Sequence, residues 1–183
     1  MNRFAAGILA LSGLAATACT PVTSGGGGAT TDLLSDYKTL KTTDITDLTP
    51  VSAIGSTGSA SFSGVAQVAR GTFSDGVYIG ALDVDVAFSN GTLSGSLNSF
   101  QELETSGSTS TLGPEVNGTV DISGAIDSNN SIPRGGISGT ATGDLDGKTI
   151  DSDFDGNFIG STGSTLLFYF SGGLAGSGYA VED

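Results

Sequence analysis

The sequence predicts an all-β fold, an eight-stranded antiparallel up-and-down β-barrel, and three observations carry that prediction. From residue 55 onward, apolar residues alternate with Ser, Thr, Asn and Asp at a period of two, the pattern of a strand with one buried face. Gly-containing turn dipeptides interrupt the alternation at hairpin spacing. Glycine makes up 30 of 183 residues, roughly twice its usual share of about 7%, with no three-residue period that would indicate collagen.

The residues before the strands read as address and tether. Arg3 precedes an apolar run from Phe4 to Ala18, too short for a permanent membrane helix of about 20 residues. The run ends in Ala16-Thr17-Ala18-Cys19, followed by Gly25 to Gly28, and this resembles a bacterial lipoprotein signal, cleaved just before a Cys that then carries the lipid. Cys19 is therefore the expected attachment site, and acyl chains contributing about 0.8 kcal/mol per buried methylene would hold the chain on a membrane. An ordinary secretory signal cut after Ala18, leaving a free thiol, fits the same residues. The expected organisation is a signal over 1–18, a lipidated, Gly/Thr-rich tether over 19–54 and a barrel over 55–183. Within the tether, Leu33, Leu34, Tyr37 and Leu40 have helical spacing, with Thr31 or Asp32 as a cap. The expectation is a short helix lying against the domain; a partner-binding amphipathic segment is the alternative.

Eight strands follow in order. The first, Ser59 to Ala69, carries Ala60, Phe62, Gly64, Ala66 and Val68 on one phase, with Val65 as the exception. Leu82, Val84, Val86 and Phe88 share a face opposite Asp83, Asp85 and Ser89. Asn90-Gly91 then favours a type I′ turn, which needs two residues tolerant of positive φ. Leu93, Gly95 and Leu97 come next, and a polar stretch from Gln101 to Glu115 reads as a long loop. Val116, Gly118, Val120, Ile122, Gly124 and Ile126 form the fourth series, turned at Asp127 to Asn130. Ile137, Gly139, Ala141, Gly143 and Leu145 form the fifth, closed by Asp146-Gly147. Ile150, Phe154, Gly156, Phe158 and Gly160 oppose Asp151, Asp153, Asp155 and Asn157. The last two series are Leu166, Phe168, Phe170 and, after Gly172-Gly173, Leu174, Gly176, Gly178 and Tyr179.

Closing such a ribbon on itself removes its edges. An eight-strand interior is just wide enough to be filled by side chains, so Gly95, Gly118, Gly139 and Gly156 are expected to leave room for Phe88, Phe154, Phe158 and Phe168. A two-sheet sandwich satisfies the same alternation. A membrane barrel would turn its apolar face outward, and the Ser/Thr/Asn/Asp face would then have to fill the interior. A soluble barrel with the polar face in water is the expectation.

Composition narrows the chemistry. With no His and one Cys, imidazole metal sites and Ser-His or Cys-His nucleophiles are excluded. Nineteen acidic residues against six basic give a net charge of −13, which opposes nucleic-acid binding. Asp144, Asp146, Asp151, Asp153 and Asp155 are the densest acidic group, and Asp151-Ser152-Asp153-Phe154-Asp155-Gly156 is similar to the start of a calcium loop. Thr162 stands where such a loop closes with Glu, and strand alternation would splay the carboxylates along an exposed face. No enzyme activity, cofactor or metal is expected.

The segment Asp155-Gly156-Asn157-Phe158-Ile159-Gly160, followed by the hairpin Gly172-Gly173-Leu174-Ala175-Gly176, resembles the barrel domain of transferrin-binding protein B-like surface lipoproteins, as do the signal and glycine tether. The resemblance spans about residues 55 to 183. It implies a lipid-anchored outer-membrane or cell-surface protein whose relatives bind proteins, in some cases for nutrient or iron acquisition. The loop from Gln101 to Glu115 is the expected binding element, with Gln101, Glu102, Glu104 and Glu115 as candidate contacts for an unidentified protein partner. A structural envelope lipoprotein without a specific ligand is the alternative, and a lipocalin-like carrier would need an open cavity that bulky Phe residues disfavour.

Overall fold

The computed structural model describes residues 32–42, 47–50, 53–106, 108–127 and 136–183. The expected signal, Cys19, the glycine run and most of the expected Asp127–Asn130 turn lie outside them. Described elements are a helix α1 (Leu33–Thr42) and strands β1 (Ser59–Arg70), β2 (Val77–Ala87), β3 (Thr92–Ser106), β4 (Thr109–Val116), β5 (Gly118–Asp127), β6 (Gly136–Leu145), β7 (Lys148–Ile159), β8 (Thr165–Gly172) and β9 (Leu174–Glu182).

Eight of the nine strands close into a ring. Neighbours run β2-β1-β9-β8-β7-β6-β5-β3, and a further β2–β3 pairing completes the circle. The seam between the first and last strands runs from Phe62 opposite Glu182 to Arg70 opposite Leu174. β4 is outside the ring and pairs with β3.

The period-two pattern places the apolar phase inside. Phe62, Phe100, Phe154, Phe158 and Phe168 are all within 1% of full burial, packed with Leu82, Leu97, Leu145 and Leu166. Each such side chain contributes on the order of 1.5–3 kcal/mol by leaving water. Asp83, Asp85, Asp151, Asp153 and Asp155 face out and are exposed. The wall is thus mostly polar and the interior apolar, the reverse of a barrel inserted in lipid. Among the described residues, no helix is long and apolar enough to cross a membrane.

The expected glycine arrangement holds in part. A Cβ on Gly139 would lie 2.9 Å from the Phe154 ring, and one on Gly124, the residue opposite, 2.7 Å from it. Gly156 instead makes room for Ile137, and Gly95 and Gly118 face cross-strand backbone rather than rings.

Four details differ from the sequence reading. Asn90-Gly91 does turn the chain, but only Gly91 has positive φ, +67°. Asn90 instead accepts hydrogen bonds at Oδ1 from the N–H (3.1 Å) and hydroxyl (2.7 Å) of Thr92. The doubly positive pair is Asp146 and Gly147, at +54° and +69°, in the tight β6–β7 turn. Tyr179 is on the outer phase beside Val65 and Leu167, and Ala180 takes the inner position. Val116 and Gly118 belong to two strands rather than one, with Asn117 between them.

The Gln101–Glu115 stretch is the fourth difference. It is not a loop: β3 continues to Ser106 and β4 returns antiparallel from Thr109. Ser99, at φ +53°, sits where the β2–β3 register shifts. That bulge re-phases the strand, so Phe100 points into the barrel and Leu103 points out.

The two ends of the cylinder are closed differently. At one end, Arg70 donates to the Tyr78 hydroxyl at 2.7 Å and pairs with Asp146 at 3.0 Å across the opening. At the other, residues 47–50 tie to the end of β7. Thr49 N–H donates to Phe158 (3.0 Å), Gly160 N–H donates to Asp47 (2.8 Å), and the buried Thr49 hydroxyl donates to the Gly160 carbonyl.

Candidate functional site

The feature that departs from a plain barrel is the β3–β4 hairpin with the helix beneath it. The pairing of β2 with β3 ends at Tyr78 opposite Glu102, so residues 103–106 and their partners 109–112 on β4 extend beyond the ring at the Arg70 end, while Glu115 and Val116 still lie beside Gln101 and Phe100 of the wall. An isolated two-stranded ribbon is marginal in water. This one is held by a second small core on the outside of the wall. Leu33 and Tyr37 of α1 pack with Val65, Ile79 and Leu103, flanked by Leu34, Leu40, Val77, Ala81 and Leu112. Leu103 and Leu112 are directly opposite each other in the hairpin. Val65, the exception on β1, is outward because the helix covers it.

Local chemistry explains why ten residues stay helical there. Asp32 caps the N-terminus, its Oδ1 accepting from Ser35 N–H at 3.2 Å. Lys41 Nζ lies 5.0 Å from the centre of the Tyr37 ring. Burial and then the neighbouring charge of Asp32 push the Asp36 carboxyl above its usual range. Asp36 thus takes up a proton at higher pH in the folded chain than in the unfolded one. Its stabilising contribution is complete below the ordinary aspartate range and is lost as pH rises through the raised value. Asp36→Asn is expected to raise amide protection of α1 roughly two- to threefold at neutral pH and to leave it unchanged in acid; hydrogen exchange at both pH values checks this.

The four candidate contact residues all lie on the hairpin but not on one face. Gln101 and Glu115 are opposite each other, on the same side as the Leu103–Leu112 pair. Glu102 and Glu104 point to the other side and are exposed. A Cβ on Gly113 would meet Glu104 Oε1 at 3.1 Å, so the carboxylate lies across β4 where that strand has no side chain. The sequence offered one signal for this geometry, the two isolated leucines of the polar stretch; the apolar cover that makes them legible comes from a helix some 60 residues earlier.

Elsewhere the surface is less specific. Asp151, Asp153 and Asp155 alternate along the exposed face of β7, opposite Thr142, Thr140 and Ser138 of β6. Strand geometry splays them, and among the described residues no group of three His, Cys, Asp or Glu is placed to hold a metal ion. An open cleft of about 410 Å³, lined by Ile54, Phe88, Asn90 and Ile126, lies at the end remote from the hairpin.

No family model matches the sequence, and no curated protein is similar to it. Solved structures are similar in fold. A mutant of the vaccine antigen transferrin-binding protein B from Haemophilus parasuis Hp5 aligns at 19% identity with a TM-score of 0.49, over 74% of this chain and 28% of that one. Isotype 1 transferrin-binding protein B from serogroup B Neisseria meningitidis aligns at 21% identity with a TM-score of 0.48, over the same shares. This chain therefore spans little more than a quarter of the length of those proteins. They belong to the family that the Gly-Phe strand and closing hairpin resemble.

Proposed function

We propose that the chain is a lipid-anchored envelope lipoprotein whose barrel is a rigid mount for the β3–β4 hairpin, and that the hairpin meets a protein partner outside the cell or at the outer membrane. One observation carries this: a polar two-stranded arm extends past a closed barrel and is braced by its own helix and core. A purely structural barrel has no need of such an arm. Apolar side chains pack the interior, which favours recognition on the exterior. Anchoring through Cys19 rests on the signal-like sequence. Nutrient or iron acquisition rests on the family resemblance alone.

The test replaces residues 104–111 with a two-residue turn, which keeps the Leu103–Leu112 pair and the helix seat. Crosslinking and pull-down from intact cells compare it with the unaltered chain. The expected result is at least tenfold lower recovery of the crosslinked partner with unchanged thermal stability. Unchanged recovery would favour a structural envelope role instead.

A further inference from the structure

We infer that the outer edge of β4 over Thr109–Leu112 is a strand-addition site for an extended partner segment that alternates apolar and basic residues. The inference rests on the hairpin being the partner-binding arm. Among the described strands β4 pairs only with β3, and it ends the sheet. Exposed edges are normally blunted by Pro, charge or cover. Here Gly113 and Pro114 blunt the second half of β4, since Pro offers no N–H, whereas Thr109-Ser110-Thr111-Leu112 carries neither charge nor Pro, and its two Thr favour a strand. Ser106 pairs with Thr109, and only two residues of sequence separate them. Hairpin pairs at that spacing are hydrogen-bonded, and bonding alternates along the ladder. Ser110 and Leu112 therefore direct their N–H and C=O groups away from β3.

The two sides of an added strand would meet different chemistry. Beside Leu112, which is partly buried against the helix-covered core, an apolar side chain extends the patch. Beside Thr111, the Glu104 carboxylate and the exposed Glu102 favour a cation. The same charges disfavour a second copy of this chain, since two bodies of net charge −13 repel. Main-chain pairing supplies affinity and the alternating contacts supply selectivity.

The probe is a fluorescein-labelled octapeptide of alternating Val and Lys, titrated against the full chain in detergent and read by anisotropy. Two further peptides carry N-methyl groups on the Val amides or on the Lys amides. One of the two is expected to bind at least tenfold more weakly, because its methylated amides face the edge. Ser110→Pro is expected to weaken the unmethylated peptide equally, and Glu102→Gln with Glu104→Gln to flatten its salt dependence. No binding, or equal binding of all three peptides, would overturn the inference, the latter by showing charge attraction alone. A sedimenting dimer that Ser110→Pro dissolves would also overturn it, by assigning the edge to a second copy. If Ser110→Pro retains the cellular partner that excision of 104–111 loses, edge pairing falls and the arm's role stands; if excision loses nothing, the arm's role falls first.

Discussion

Gly139→Val is expected to destabilise the barrel by at least about 3 kcal/mol, seen as a lower thermal midpoint or loss of the folded protein. A Cβ at residue 139 would lie 2.2 Å from the Ser123 carbonyl oxygen, 2.5 Å from Gly124 Cα and 2.9 Å from the Phe154 ring. Two of those atoms are backbone of the paired strand and can give only if the β5–β6 ladder opens. The ring alone could turn. Gly139→Ala combined with Phe154→Leu should therefore recover only part of the loss from Gly139→Ala. Ser138→Val, on the exposed face one residue away, should stay within about 0.5 kcal/mol of the parent. Full recovery in the double variant would show that the ring, not the strand spacing, demands glycine.

Tyr37→Ala is expected to release α1 while the barrel stays folded. Tyr37 is 2% exposed and joins the helix to Val65, Ile79 and Leu103. Removing a buried aromatic ring costs about 3–5 kcal/mol, and a ten-residue helix has little stability of its own. The amides of α1 should lose exchange protection, cleavage after Lys38 and Lys41 by a trypsin-like protease should accelerate at least tenfold, and the Leu103–Leu112 end of the hairpin should exchange faster. The interior of β6 and β7 should not change. Retained protection in α1 would mean that contacts other than this core hold it.

The barrel was legible because a closed sheet of this size imposes one rule on every strand, and the runs Leu82-Val84-Val86, Ile137-Ala141-Leu145 and Leu166-Phe168-Phe170 obey it. Departures from the rule marked the second core. Val65 and Ile79 break the phase on adjacent strands because α1 covers both from outside. The arm itself was not legible as strands. Its composition is polar, Ser99 shifts the phase before it, and Gly113-Pro114 disrupts it afterwards. The four candidate residues all lie on the hairpin but on opposite faces, since a loop reading carries no register. Asn90-Gly91 misled on turn type because Asn90 uses its side chain to cap the turn, and its backbone keeps negative φ.

The order in which the chain is fastened gives the molecule a mechanical sequence. A load applied from the N-terminal side reaches α1 first, then the Asp47–Thr49 link to β7, and only afterwards the seam between β1 and β9. Side-chain packing seats the helix, which would peel at low force, whereas the seam loads nine residue pairs in shear. A pull transmitted from the residues before α1 would thus loosen the brace of the arm well before the cylinder opened, making tension itself able to change how firmly the arm is held.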